Sequence, residues 1–119
     1  MYEIKSKPIS THYERIEEVL KQLPYQSTEL MKTTAVSAVY HSTDSKGNII
    51  HTTMERLYTH LKDDYDITPG GAESRINTLK KDMFNTLPNG LKFAIFDTVE
   101  PIPNYTFIIK LSEYVVRHW

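Results

Sequence analysis

The side chains best suited to chemistry lie in the stretch DITPGGAESRINTLKKDMF, residues 66–84. Apolar residues recur at Ala72, Ile76, Leu79 and Met83, a spacing typical of one face of an amphipathic helix. The opposite face combines short polar side chains with long cationic ones. Such groups can donate hydrogen bonds to base edges and phosphates. The pattern predicts a DNA-reading helix over residues 69–85.

Within this helix, Arg75 has the donors to pair with O6 and N7 of guanine, and Ser74 and Thr78 can reach base edges or phosphates. Gly70 and Gly71 leave the first turn bare, so its N–H groups can face a phosphate. The complete predicted DNA-binding set is Gly71, Ser74, Arg75, Asn77, Thr78, Lys80, Lys81 and Lys92. A helix that only faces water or another protein shows the same polar pattern, and this alternative stays open.

Other reactive residue types do not form a complete site. The acids Asp63, Asp64 and Asp66 lack the further oxygen ligands of a calcium loop, so we interpret them as a solvated helix end or a protein contact. The five histidines lack the spacing of a helical zinc site, and no nucleophile elbow or phosphate loop is present. We expect no enzyme activity, no cofactor and no metal. The histidines are His12, His41, His51, His60 and His118.

Composition narrows the class of protein. The chain has 119 residues, a formal net charge of −1 and no cysteine, which excludes disulfides and thiolate chemistry. Its near-neutral charge argues against nucleic-acid binding through the whole surface, although residues 68–96 hold four cationic residues against two acidic ones. No apolar run is long enough to span a bilayer, and the N-terminus is too polar for a signal peptide. We therefore expect a cytoplasmic protein that does not enter the membrane.

The elements that would position the predicted reading helix follow from periodicity and capping. Ser10 or Thr11 caps a first helix that Pro24 ends, and Ser27 or Thr28 starts a second, whose β-branched residues 33–39 allow a strand instead. The stretch STDSKGN predicts a turn, residues 48–51 a short strand, and Thr52 or Thr53 the cap of a third helix. Two apolar runs, LKFAIF and YTFIIKL, flank the proline-bearing segment 97–104 and predict a β-hairpin.

The order helix, helix, short strand, helix, turn, helix and hairpin resembles the winged helix-turn-helix superfamily. The run KGNIIHTTMERLYTHLKDDYDITPGGAESRINTLKKD is similar to the effector domains of OmpR-type response regulators. The resemblance implies an α+β fold with a recognition helix in the major groove and a C-terminal β-hairpin wing. We expect one domain over residues 1–119, with an N-terminal helical arm (1–26), a winged-helix core (27–111) and a tail (112–119). The arm lies outside the family plan, and no receiver domain precedes the core.

Two functions follow from these observations. The first is a small DNA-binding transcriptional regulator that acts as a homodimer, since one reading helix covers little DNA. The second is a phage- or plasmid-type protein-binding module that modulates a host protein without binding DNA. The acidic and partly apolar hairpin tip favours the second, because acids are repelled by phosphates. Its contact surface would be Asp63, Asp64 and Asp66, or the loop from Val99 to Ile102.

Overall fold

Every regular element in the described part of the protein is an α-helix. The computed structural model describes residues 11–65 and 67–119. The helices are α1 (Thr11–Lys21), α2 (Glu29–His41), α3 (Met54–Tyr65), α4 (Pro69–Thr86), α5 (Asn89–Phe96) and α6 (Asn104–His118). Strand-type pairing among the described residues is limited to one isolated bridge between Thr43 and Ile49. None of the described helices is long and apolar enough to cross a membrane.

Helix α2 forms the centre of the bundle and packs against α1, α3, α4 and α6. It is buried on most of its circumference because its middle consists of small side chains, including the fully buried Ala35 and Ala38. Small residues let neighbouring helices approach closely on several sides. The β-branched residues that allowed a strand in this segment, such as Thr34 and Val39, are buried within the helix.

Threonine side chains define the starts of three helices. Thr28 accepts a hydrogen bond from the Met31 amide, and Thr53 accepts one from the Arg56 amide. Thr68 accepts one from the Gly71 amide, directly before Pro69. Each hydroxyl satisfies one of the amides that a first helical turn leaves unpaired. The predicted starts of α2, α3 and α4 are therefore confirmed, whereas Ser10 lies outside the described residues.

The predicted α+β winged-helix fold is wrong, because every regular element of the described residues is a helix and neither the short strand nor the hairpin forms there. Residues 91–96 belong to α5 and residues 105–111 to α6, so the proposed hairpin wing is a pair of helices. Segment 97–103 joins them, and Asp97 adopts a left-handed conformation (φ 61°) that ends α5. Lys110 of α6 binds the Asp97 carboxylate at 2.9 Å. The acidic tip predicted for a wing is thus a helix–helix connection.

The burial pattern explains why this region is helical. Phe107, Ile108, Leu111 and Val115 are all fully buried, and their spacing of one, three and four residues fits one face of a helix and not the alternation of a strand. Phe96 of α5 stacks on Phe107 with ring centroids 5.3 Å apart, and Phe84 of α4 stacks on Phe96 at 4.8 Å. These three rings join α4, α5 and α6 in one core. Ile16 of α1 is fully buried in the same hydrophobic cluster.

The turn between α2 and α3 has the chemistry that its sequence predicts. The Asp44 carboxylate accepts hydrogen bonds from the amides of Lys46 and Asn48, and Gly47 adopts a φ of 88° that favours glycine. A Cβ added to Gly47 would lie 3.2 Å from Val116 of α6. The turn therefore packs closely on the last helix.

Candidate functional site: a cleft lined by histidines

The helix predicted to read DNA is present as α4, but one side of it packs inside the bundle. Helix α4 packs against α2, α3 and α6. Of the predicted DNA-binding residues, Ser74, Thr78 and Lys81 are exposed. Asn77 is also exposed, although its side-chain oxygen accepts a hydrogen bond from Asn104 at 2.8 Å. A polar row of α4 therefore faces outward.

Two cationic groups of that helix are held by the protein itself. The guanidinium of Arg75 lies over the ring of Tyr65, 4.7 Å from its centroid, and its Nη1 atom is buried. The Lys80 ammonium donates a hydrogen bond to the Ile102 carbonyl at 2.8 Å. Gly71 is half-buried beside the Thr68 cap. These contacts leave Lys81 as the exposed cation among the described side chains of α4.

The remaining predicted contact residues are dispersed. Lys92 is half-buried on α5, and Asp63 is exposed at the end of α3. Val99 and Ile102 are half-buried, and Ile102 packs against the core instead of projecting as a contact loop. Asp66 lies outside the described residues. Asp64 is the exception that leads to a site, because its side chain is buried between α2 and α3.

An open cleft of about 520 Å³ lies beside Asp64 and collects polar groups from α1, α2, α3 and the α2–α3 turn. Its volume is within the range of ligand-binding pockets. The lining residues are His12, Tyr40, His41, Thr43, Asp44, Ser45, Ile50, Thr52, Arg56 and His60. We call this the histidine cleft. Three of the five histidines of the chain meet there, although they are far apart in the sequence.

Asp64 organises the inner wall of the cleft. Its Oδ2 atom accepts a hydrogen bond from the hydroxyl of Ser37 and lies 2.9 Å from Nε2 of His41. A carboxylate only accepts hydrogen bonds, so Nε2 of His41 carries a proton and donates it to this contact. An anion near the C-terminal end of α3 opposes the helix dipole. The two donors from α2 offset that cost and fix the orientation of the His41 ring.

His12 is oriented in a similar way by Thr43. Its Nε2 atom lies 2.8 Å from Oγ1 of Thr43, while the single Thr43 hydroxyl proton is donated to the Val39 carbonyl. Nε2 of His12 must therefore be the donor, which leaves Nδ1 as an acceptor in the neutral ring. The ring of Trp119 stands edge-on to His12, with ring centroids 5.5 Å apart. The Arg15 guanidinium lies over the Trp119 ring, 5.9 Å from its centroid.

His60 completes the inner wall by stacking on His41. The two rings are parallel within 5° and their centroids are 4.4 Å apart. Burial lowers the pKa of His60, and the neighbouring His41 and Arg56 lower it further, against the opposing effect of Asp64 and Asp63. Burial also lowers the pKa of His12, with Asp44 opposing. Both rings are therefore held toward their neutral forms.

The outer rim of the histidine cleft supplies a cation and an apolar side chain. Arg56 is exposed and forms no ion pair with any described residue. Ile50 is 43% exposed and is one of two large apolar side chains that project into solvent from the described residues. The other, Phe93, is 55% exposed on α5, outside the cleft. A second groove of about 460 Å³ lies between α1 and α2 and is lined by charged and apolar side chains of both helices and of the segment that joins them.

The cleft does not have the geometry of a metal centre. Within residues 11–65 and 67–119, no three His, Asp or Glu side chains are placed so that they could share a metal ion. Over the described residues, the fold and the cleft together define a bundle of six helices with an open polar site. No family model, no curated protein and no solved structure matches this chain.

The sequence contains a signal for this site in the four-residue spacing of polar residues on α2 and α3. Ser37 and His41 are four residues apart on α2, and His60 and Asp64 are four residues apart on α3. Residues at this spacing lie on the same face of a helix. In addition, Asp64 continues the apolar stripe of Leu57 and Leu61, which indicates a buried carboxylate. What the sequence could not show is that the two faces meet.

Proposed function

We propose that this chain is a protein-binding module whose histidine cleft receives an acidic segment of a partner protein. The observation that carries the proposal is the convergence of three features in one open cleft. They are Arg56, which forms no ion pair with another described residue, the exposed Ile50, and imidazoles whose Nε2 atoms are already fixed. Arg and aromatic side chains around an apolar anchor are typical of interface hot spots. The cation on the rim favours an acidic partner.

Orientation supports binding as the role of these groups. Because His41 is fixed by Asp64 and His12 by Thr43, each ring has little freedom to reorient. A site that is ordered before binding loses less side-chain entropy when a partner docks. The polar network between α2 and α3 therefore serves recognition as well as packing.

The first experiment locates the docking surface. A photoreactive amino acid replaces Ile50 in one variant and Phe93 in a matched control, since both side chains are exposed and apolar. Each variant is irradiated in nuclease-treated host lysate. We expect one defined polypeptide adduct from position 50 and none from position 93. Adducts from position 93 alone would place the contact surface on α5.

The second experiment measures affinity for the purified adduct protein. Ile50→Asp and Arg56→Glu are each expected to weaken binding about 30-fold, which corresponds to roughly 2 kcal/mol for a hot-spot residue. Phe93→Asp and Lys81→Glu are the matched controls outside the cleft and should leave the dissociation constant unchanged. Equal affinity of the two cleft variants and the unmodified protein would contradict the proposal.

DNA binding through α4 remains the rival proposal, supported by the exposed row of Ser74, Thr78 and Lys81. It predicts that the logarithm of affinity for duplex DNA falls linearly with the logarithm of salt concentration, with a slope of about −0.9 for each phosphate neutralised. Lys81→Ala should reduce that slope by about 1, whereas Arg56→Gln should not. Absence of any salt-dependent binding to duplex DNA would reject this rival.

A further inference from the structure

We infer that the histidine cleft binds a carboxylate or similar oxyanion together with a proton, so that docking is strengthened as the solution becomes more acidic. This inference rests on the proposed docking at the same cleft and adds the chemistry of recognition. It is derived from the placement of charges around the stacked imidazoles.

One negative charge, the Asp64 carboxylate, lies next to the stacked rings of His41 and His60. With ring centroids 4.4 Å apart, two positive imidazolium rings would repel each other strongly. The buried Asp64 carboxylate lies 2.9 Å from His41 and balances one positive charge. An anion that enters the cleft would supply a second counter-charge beside the stacked rings.

The groups around the pair determine where that anion can sit. Arg56 of α3 faces the same cleft and has no ion-pair partner among the described residues. Asp63 is exposed, and the Asp44 carboxylate accepts three hydrogen bonds from Lys46 and Asn48. An incoming oxyanion can therefore pair with Arg56 and with imidazole rings that take up a second proton, whereas the resident carboxylates accept hydrogen bonds from the protein.

His12 adds a second proton-accepting position on the α1 side of the cleft. Its Nε2 atom is committed to Thr43, so protonation creates a new donor at Nδ1. Burial holds the pKa of His12 and of His60 below the ordinary value, so both rings are neutral without a ligand at neutral pH. An anion that stabilises the charged rings must raise these pKa values, by linkage.

The test uses sodium sulfate as the probe, because sulfate is a divalent oxyanion that does not titrate near neutral pH. The ring C–H resonances of all five histidines are followed by NMR from pH 5 to 8, in sulfate and in sodium chloride of equal ionic strength. We expect sulfate to raise the measured pKa of His12 and His60 by about half a pH unit, a threefold change in proton affinity. His51 and His118 lie outside the cleft and serve as internal controls.

An Arg56→Gln variant separates specific binding from general screening, and its exposed position preserves the fold. In this variant the sulfate effect on His60 should be smaller than in the unmodified protein. Unchanged pKa values in the cleft, or equal changes at all five histidines, would overturn the inference.

The two proposals fail differently. If position 50 captures a partner whose affinity is the same at pH 7.5 and pH 6, docking stands and the proton coupling is overturned. If sulfate raises the cleft pKa values but position 50 captures nothing, the anion chemistry stands and the protein-docking function fails.

Discussion

Among single residues, Asp64 has the largest structural consequences. It is a buried carboxylate near the end of α3, and Ser37 and His41 of α2 supply the hydrogen bonds that make its burial tolerable. Removing one partner of a buried charge lowers the stability of the fold by more than the intact pair adds to it, because the remaining charge is left without compensation. Substitutions around Asp64 should therefore affect stability more than their size suggests.

Ser37→Ala tests this expectation. The change removes one hydrogen bond to a buried carboxylate and should lower the free energy of unfolding by about 1.5–3 kcal/mol. Urea unfolding monitored by circular dichroism measures the loss. Thr33→Ala is the matched control, since the Thr33 hydroxyl binds only the Glu29 carbonyl at the surface and its removal should cost less than about 0.5 kcal/mol. Equal effects of both changes would show that the Asp64 network is not a stabilising element.

The lowered pKa of His60 makes a second residue-scale prediction. Because the unfolded chain binds a proton at this ring more tightly than the folded protein does, stability falls as pH drops below the ordinary value of 6.5. His60→Gln should make the stability less dependent on pH between 7.5 and 5.5, in the absence of sulfate. His51→Gln, an exposed site outside the cleft, should keep the pH dependence of the unmodified protein. Denaturation midpoints across this pH range provide the measurement.

Sequence reasoning captured part of the site at this scale. It identified Asp63, Asp64 and Asp66 as a group but did not distinguish the buried member. It treated the histidines as dispersed, because His12, His41 and His60 approach one another only after α1, α2 and α3 have packed. Local spacing identifies the face of one helix, whereas a cleft between elements depends on tertiary packing.

At the level of elements, the fold differs from expectation mainly in the last 30 residues. The runs LKFAIF and YTFIIKL contain many aromatic and β-branched residues, which favour strands when each short run is considered alone. The helical period becomes visible only when the window extends past Leu111 to Val115. Packing then overrides local propensity, since Phe96 and Phe107 stack with both segments in helical form. The capped starts of α2, α3 and α4 were predictable because capping depends on neighbouring residues alone.

The aromatic cluster of α4, α5 and α6 gives an element-scale prediction. Phe107 is fully buried, so Phe107→Ala should lower the free energy of unfolding by about 3–5 kcal/mol through lost contacts and a cavity. Phe93→Ala changes the same residue type on α5, where the ring is 55% exposed, and should alter stability by less than about 0.5 kcal/mol. Similar losses for the two variants, measured by urea unfolding, would be inconsistent with a helical α5–α6 pair.

Across the whole molecule, one continuous hydrophobic cluster runs from Ile16 of α1 to Val115 of α6. The sequence predicts residues 1–26 as a helical arm within a single domain. Helix α1 packs against α2 and α6, and its buried residues belong to this cluster. Elements that share one core usually unfold together in a protein of this size.

Ile16→Ala therefore should weaken the entire domain. We expect the urea midpoint to fall by an amount equivalent to about 2–5 kcal/mol while the slope of the transition stays the same. Glu18→Ala, at an exposed position of the same helix, is the control and should have little effect. A change in slope, or a separate early transition, would indicate that α1 unfolds independently.

The placement of Trp119 has a practical consequence. It is the single tryptophan of the chain, and its indole lies edge-on to His12 at the border of the histidine cleft. Charged imidazole quenches indole emission, so the intrinsic fluorescence of the unlabelled protein should report the charge on His12. Titration curves and ligand screens can then be recorded optically, at low concentration and without any attached dye.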